Sequence, residues 1–216
     1  IMGAVIGLIN GIAIVHFRIN SLIFTLGGLT LYRSLVFVIT KGNSIANLPE
    51  SFDAISQTKI LGIQSPVYVM ILILVLGEII FRKSVIGKKI IFIGMNPSSA
   101  KLVGVKVKRI NIGLFVVNSI LAALAGILLA SRVGTATVAA GTSLEFKVIT
   151  AALVGGASLY GGRGSFLGTF LGALLMGIIL NGMALLNINI YWQDIVIGTI
   201  LITVVLLDAI AQRRKA

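Results

Sequence analysis

Long apolar runs separated by short polar segments constrain most strongly what this chain can fold into. They cover residues 1–16, 21–40, 66–81, 111–133, 146–160, 166–187 and 190–209. A helix needs about 20 apolar residues to cross a bilayer, and several of these runs reach that length. The sequence therefore predicts an all-α polytopic membrane helix bundle, with about seven spanning or partly spanning helices in one domain over residues 1–216.

The overall composition also indicates that most of the surface of the protein contacts membrane lipid. Hydrophobic residues make up 57% of the chain and charged residues 11%, whereas soluble domains run near 45–50% and about 25%. A chain of this composition cannot hide its apolar surface inside one water-soluble core, so we expect membrane lipid around it. Residue Ile1 already lies in an apolar run with no basic flank. We therefore expect the chain to be the C-terminal part of a longer membrane protein.

Basic residues set the expected orientation. The net charge is +12, but the lysines and arginines cluster between apolar runs instead of covering a globular face, which favours membrane orientation over nucleic-acid binding. Segment 82–110 is basic and has no acidic residue, so we expect it in the cytoplasm, together with the tail residues Arg213, Arg214 and Lys215. Segment 42–65 suits the periplasmic side. This alternation requires run 146–160 to return to the cytoplasm, although a re-entrant segment is also compatible with its length.

The sequence offers little for chemistry of its own. The chain has no cysteine and a single histidine, His16, so it predicts no disulfide and no metal site. It carries no glycine-rich phosphate loop ending in Gly-Lys-Ser/Thr and no catalytic constellation. We therefore expect a protein that is not an enzyme and holds no cofactor in this chain.

A short capped helix is predicted inside the basic segment. Asn96 is a good N-cap, Pro97 fits the first helical position, and Gly104 can take the left-handed conformation that ends a helix. A helix of about two turns is unstable alone. We therefore expect helix 96–104 to be a docking element stabilised by a partner.

Polar residues within the apolar runs mark candidates for a translocation pathway. Asn118 and Asn181 carry neutral amides, which suit hydroxyl-rich ligands because they both donate and accept hydrogen bonds. Hydrogen bonding between helices is an equally open interpretation. The small residues Gly168-x3-Gly172 and Gly155-Gly156 predict close helix packing, with a moving helix contact as the alternative.

Five segments resemble those of a known family, the permease subunits of bacterial ABC importers of the ribose and simple-sugar type. They are Asn20–Gly27, Ile86–Asn96, Ser99–Val105, Ala140–Glu145 and Ala152–Gly164. The last, ending in Gly161-Gly162-Arg163-Gly164, is the most specific, and the resemblance covers nearly the whole chain. The family usually has Glu-Ala-Ala after the asparagine, and this chain has Pro97-Ser98-Ser99 instead.

The resemblance implies a multi-pass protein of the bacterial inner membrane with about ten helices, of which this chain holds the last seven. It implies a second permease subunit, identical or not, a periplasmic sugar-binding protein, and an ABC ATPase subunit that binds ATP and Mg. The implied ATPase-docking residues are Asn96, Pro97, Ser98, Ser99, Ala100, Lys101, Leu102, Val103, Gly104 and Val105. In that function, helix 96–104 carries motion into helices 66–81 and 111–133.

Three other functions remain open at this point. A branched-chain amino-acid ABC permease would need charged partners for a zwitterion, and few charges lie within the apolar runs. A secondary carrier working without ATP would need no docking helix. A purely structural membrane protein would leave the capped basic segment without a role. Segment 42–65 is either a docking surface for an outside protein or a capping loop with a short amphipathic helix.

Overall fold

A computed structural model describes residues 1–46 and 48–213, and these form ten helices and one small hairpin. Helices α1 to α5 are Met2–Phe17, Ser21–Thr40, Glu50–Gln57, Ser65–Lys83 and Val85–Met95. Helices α6 to α10 are Pro97–Leu102, Val107–Val133, Leu144–Val154, Phe166–Leu185 and Ile190–Arg213. Strands β1 (Lys59–Ile60) and β2 (Ile63–Gln64) pair antiparallel. Arg214 and Lys215 of the expected cytoplasmic tail lie outside the described residues.

The prediction of an all-α polytopic membrane protein is confirmed. Within the described ranges, five helices are long and apolar enough to cross a membrane: α2, α4, α7, α9 and α10. Their most apolar windows have mean hydropathy from 1.8 to 2.4, and at most 11% of any such window is buried. Helix α1 is apolar but has only 16 residues. Side chains this apolar and this exposed are suited to lipid contact.

The helix expected over 146–160 is shorter in the structure. Helix α8 has 11 residues and ends at Val154, with Gly155 as its C-cap. At about 1.5 Å per residue it is roughly 16 Å long, about half of the hydrocarbon thickness. Gly156 follows with a φ of 88°, a left-handed conformation that stops the helix. The element is therefore a helix too short to cross a bilayer by itself, followed by a loop over residues 155–165.

The chain divides into two compact units. The first consists of Ile1–Ile71 with Lys106–Ala140, and the second of Leu72–Val105 with the chain from Gly141 onward. The expected single domain over 1–216 stays a prediction.

In the first unit, helices α1 and α7 pack antiparallel through glycine. Gly3, Gly7 and Gly11 are buried on one face of α1. A methyl group added to Gly7 would lie 2.7 Å from the Phe115 carbonyl oxygen, and one on Gly3 would lie 2.7 Å from that of Ser119. Small residues let helix backbones approach this closely in lipid.

The segment expected on the periplasmic side contains a short helix, α3, that packs on α7. The buried hydroxyl of Ser131 accepts a hydrogen bond from the Ser56 backbone N–H at 3.0 Å and donates to the Phe52 carbonyl at 2.7 Å. The Ser56 hydroxyl donates to the Leu128 carbonyl at 2.9 Å. The short helix of the capping-loop interpretation is present, and a docking role for this segment stays a prediction.

In the second unit, α8, α9 and α10 enclose a small core of Ala151, Met176 and Ile197. A methyl group on Gly172 would collide with the Ala151 carbonyl oxygen, and one on Gly155 with the backbone of Gly168. The predicted close packing at Gly168-x3-Gly172 is therefore confirmed.

Candidate functional site

The caps expected for the docking helix are present at both ends of α6. The Asn96 side-chain oxygen accepts hydrogen bonds from the backbone N–H groups of Ser98 and Ser99, both at 3.0 Å. Pro97 occupies the first turn. At the other end Gly104 has a φ of 80°. The backbone groups at the two ends that lack partners inside so short a helix are therefore partly satisfied.

The C-terminal end of α6 forms a Schellman motif. The Val105 N–H donates to the Ala100 carbonyl and the Gly104 N–H to the Lys101 carbonyl, both at 3.0 Å. This pair of bonds satisfies two carbonyls at the end of the helix and requires a residue that tolerates positive φ, which explains glycine at 104. The conformation of α6 is thus specified by residues on both sides of it.

One side of α6 is buried against the protein, and another side is exposed. Ala100 is completely buried, whereas Leu102 is 88% exposed and Val103 is 74% exposed. Lys101 and Ser98 are also exposed, while Ser99 and Val105 are half-buried. Two large apolar side chains beside a lysine form a surface that a partner protein can cover.

Helix α5 holds α6 in place and was not anticipated from the sequence. The Ser84 hydroxyl caps α5 by accepting from the Gly87 N–H at 3.0 Å. Asn96 is at once the C-cap of α5 and the N-cap of α6, so a single residue joins the two helices. The two helices are therefore connected without an intervening loop.

The loop over residues 155–165 lies against that same end of α5. A methyl group on Gly94 would collide with the Gly162 backbone nitrogen, and one on Gly161 would lie 2.9 Å from the Gly94 carbonyl oxygen. The motif that carries the most specific family resemblance therefore contacts the base of the predicted docking helix.

Two carboxylates that the sequence reasoning missed fix this loop. Asp208 of α10 accepts from the Ser158 hydroxyl at 2.9 Å and from the Leu159 N–H at 3.1 Å. Glu78 of α4 accepts from the N–H groups of Phe166 and Leu167, at 2.9 and 3.2 Å, and also pairs with Arg82.

A signal for these two residues was available in the sequence. Glu78 and Asp208 are lone acids near the ends of apolar runs, and an ionisable residue in such a run is costly unless it has a partner. Their contacts bring the C-terminal part of α4, the start of α9 and the C-terminal part of α10 to one end of the second unit. The predicted alternation of spans requires that arrangement.

The two residues proposed for a translocation pathway lie in different units. Asn118 is exposed on α7 and lines an open groove of about 300 Å³ with Asn111, Leu114 and Phe115. Asn181 is exposed on α9. Within residues 1–46 and 48–213, no hydrogen-bond partner is found for either side chain. Hydrogen bonding between helices stays an open alternative. Their part in a pathway stays a prediction.

A polar pair joins α1 and α2 within the first unit. The Tyr32 hydroxyl donates to the Asn10 side-chain oxygen at 3.0 Å, and both residues are half-buried. In the part of the chain that the structure describes, no group of three or more His, Cys, Asp or Glu side chains could hold a metal ion.

The fold defines a class of protein, a multi-pass α-helical membrane protein that carries a capped helix between its fourth and seventh helices. The chain belongs to the family described as the branched-chain amino acid transport system permease component, whose model matches residues 1–205. This membership agrees with the ABC-permease resemblance of the five segments.

Comparison with curated proteins identifies relatives that are named as permeases for L-arabinose, ribose or autoinducer 2. The chain is 35% identical to the L-arabinose ABC transporter permease protein AraH of Azospirillum brasilense, over 99% of this chain and 63% of that protein. It is 34% identical to the autoinducer 2 import system permease protein LsrC of Klebsiella pneumoniae, over 100% of this chain and 64% of that protein. It is 37% identical to the ribose import permease protein RbsC of Bacillus subtilis, over 92% and 62%.

The chain therefore spans somewhat less than two thirds of the length of these relatives. The resemblance to sugar-type permeases that its motifs indicated is confirmed at the level of the family. No solved structure gives a significant match.

Proposed function

We propose that this chain is part of the transmembrane pore of an ATP-driven importer for a ribose-like or other simple sugar. The observation that carries the proposal is helix α6, which is capped at both ends and anchored by buried Ala100. Its side chain Leu102 and the following Val103 are exposed on the surface. The names of the relatives support a sugar as the substrate. In this proposal the chain performs no chemistry, and a separate ABC ATPase binds ATP and Mg and hydrolyses the ATP.

The docking of α6 follows from its surface. Leu102 and Val103 enter an apolar cleft of the ATPase, while Lys101 and Lys106 set the orientation against acidic groups at the rim of that cleft. Closure of the ATPase dimer on ATP then displaces α6. A contact of equal free energy in both states shifts no equilibrium. The cleft must therefore bind α6 with different affinity when the ATPase dimer is open and when it is closed.

The missing first-turn acid makes the asparagine cap more important here than in the family pattern. A carboxylate in the first turn stabilises a helix by about 0.3–1 kcal/mol through the helix dipole. Pro97-Ser98-Ser99 provides no such charge. The cap from Asn96 and the preset backbone of Pro97 then carry the N-terminal half of the docking helix.

The orientation belongs to the proposal as well. Segment 82–110 and the C-terminus lie in the cytoplasm of a bacterium, and segment 42–65 lies in the periplasm, where a sugar-binding protein docks. A second permease subunit, identical or related, completes the pore. Glu78, Asp208 and the 155–165 loop support one element of this scheme, because they bring the end of α4 to the same side as the base of α6.

A branched-chain amino acid is the second candidate substrate, and the description of the matching family favours it. Lys147 of α8 is half-buried beside an open apolar groove of about 260 Å³ between α8 and α9, which Thr169 also lines. A cation in that position suits a ligand carboxylate. The neutral Asn118 and Asn181 suit a sugar better, and the relatives named above favour the sugar.

Uptake by the full-length protein tests the proposal. Proteoliposomes containing this permease, its ATPase and its binding protein are loaded with ATP and supplied with labelled ribose, arabinose or leucine. We expect ATP-dependent uptake of a sugar and none of leucine. Leucine uptake that the variant Lys147→Met abolishes would favour the amino-acid candidate, and uptake that follows an ion gradient without ATP would contradict both.

A further inference from the structure

The base of the docking helix and the 155–165 loop meet backbone to backbone. Gly94 is the second-last residue of α5, and Gly161 and Gly162, with φ of 88° and 76°, face it. A methyl group on Gly162 would lie 3.3 Å from the Met95 Cα and 2.6 Å from its Cγ. Where no side chain separates two backbones, a change of rotamer cannot absorb a displacement of one against the other.

The loop is fixed at both of its ends. The Ser158 N–H donates to the Arg163 carbonyl at 3.2 Å, which closes the loop on itself. Asp208 holds its beginning through Ser158 and Leu159, and Glu78 holds the residues that follow it through the first N–H groups of α9. Hydrogen bonds to charged acceptors are about twice as strong as neutral ones.

The close backbone contacts continue from the loop into the helices. Gly155 at the end of α8 meets Gly168 in the first turn of α9, and Gly172, one turn further, meets Ala151. The series Gly94–Gly162, Gly155–Gly168 and Ala151–Gly172 thus connects the base of α6 with α8 and α9. Packed elements of this kind move as units because interiors are dense and transmit strain.

We infer that the Gly94–Gly162 contact makes α5, α6, α8 and α9 one moving body, so that the ATPase drives α8 and α9 through the 155–165 loop. This inference rests on the proposed function and adds a route for the motion. From the sequence, the displacement of α6 is expected to pass into helices 66–81 and 111–133. The contacts of the 155–165 loop instead indicate that the motion passes from α5 to the loop at Gly94 and Gly162. These two are positioning residues and touch no substrate.

Gly94→Ala tests the contact alone. Gly94 is helical without a positive φ, and alanine is the better helix former, so the substitution harms α5 only through the collision with Gly162. Gly182→Ala on α9 is the matched control, because a methyl group there has no heavy atom within 4 Å apart from its chain neighbours and the backbone of its own helix. Three quantities are measured on the full complex in proteoliposomes: ATPase co-purification, ATP hydrolysis and sugar uptake.

We expect Gly94→Ala to assemble with the ATPase and to hydrolyse ATP at close to the parental rate. Sugar transported per ATP should fall about tenfold, a typical size for the loss of coupling between two sites. Gly182→Ala should keep the parental ratio. An unchanged ratio in Gly94→Ala, whether both rates stay the same or fall together, overturns the inference.

If the Gly94→Ala variant does not assemble with the ATPase, the variant Asp208→Asn tests the same inference. It removes the charge that holds Ser158 and Leu159, and we expect a smaller decrease of the same ratio. Asp194→Asn, at an exposed position of the same helix, should leave it unchanged. If Asp208→Asn keeps the parental ratio, the inference is wrong.

Failure of the proposed function gives a different result from failure of the inference, because the parental complex itself would then show no ATP-dependent uptake.

Discussion

Asp208 on the last helix holds Ser158 in the loop before α9, with the serine hydroxyl donating at 2.9 Å to the carboxylate. The same carboxylate accepts from the Leu159 N–H at 3.1 Å. These hydrogen bonds offset the cost of a charged side chain near the end of an apolar span, because they replace the water it has lost. The loop that carries the most specific family motif is fixed by a residue 50 positions away.

Ser158→Ala should lower stability by about 1–3 kcal/mol, because it removes a hydrogen bond to a charged acceptor. Thermal unfolding of the purified protein in detergent measures the effect as a lower midpoint. Ser44→Ala, at an exposed loop position, serves as the control and should unfold with the parental protein. Equal midpoints for the two variants would show that the Asp208 contact adds nothing to stability.

Ser131→Ala should loosen α3 from α7. Ser131 is completely buried, and its loss leaves the Ser56 N–H and the Phe52 carbonyl without their partner. An unpaired buried group costs about 1–3 kcal/mol. Limited proteolysis of the 42–65 segment should become faster in this variant, and a cleavage rate equal to that of the parental protein would contradict the role of Ser131.

Gly7→Ala should disrupt the packing of α1 on α7. The added methyl would lie 2.7 Å from the backbone of Phe115 and Val116, and overpacking of this kind costs about 1–3 kcal/mol. Gly27→Ala on α2 is the matched control, because a methyl group there has no heavy atom within 4 Å apart from its chain neighbours and the backbone of its own helix. Midpoints of thermal unfolding should be lower for Gly7→Ala only. Equal midpoints for the two variants would show that α1 and α7 are not in close contact.

Val103→Glu should weaken binding of the ATPase subunit by about tenfold or more, because it places a charge in an apolar contact. Leu61→Glu is the control, since Leu61 is 92% exposed at the tip of the β1–β2 hairpin, in the segment expected on the periplasmic side. Co-purification of the ATPase with each variant gives the comparison. If both variants lose the ATPase equally, or if neither loses it, the proposal that α6 lies in the interface is contradicted.

Much of the fold could be predicted because its signals are local. The apolar runs at 21–40 and 166–187 are matched by α2 and α9 to within two residues. Asn96, Pro97 and Gly104 predicted the ends of α6, because caps depend on a few neighbouring residues. Each of these features is encoded within a few turns of helix.

The parts that were missed depend on contacts between distant residues. Because Lys88 and Lys89 are charged, the sequence of α5 was interpreted as part of a polar loop, although Ile93 on the same helix is buried. The roles of Glu78 and Asp208 became visible only with partners 88 and 50 positions away. The small residues predicted close packing at Gly155, but they did not indicate that its neighbour would be Gly168.

The most direct test of the account places one cysteine at Ser98, which is exposed on α6, in a full-length protein with no other cysteine. Whole cells and inverted vesicles are labelled with a membrane-impermeant maleimide, with and without the ATPase subunit. The account predicts labelling only in inverted vesicles, and protection when the ATPase is present. Labelling of whole cells would contradict the orientation, and cytoplasmic labelling that the ATPase does not reduce would contradict docking through α6.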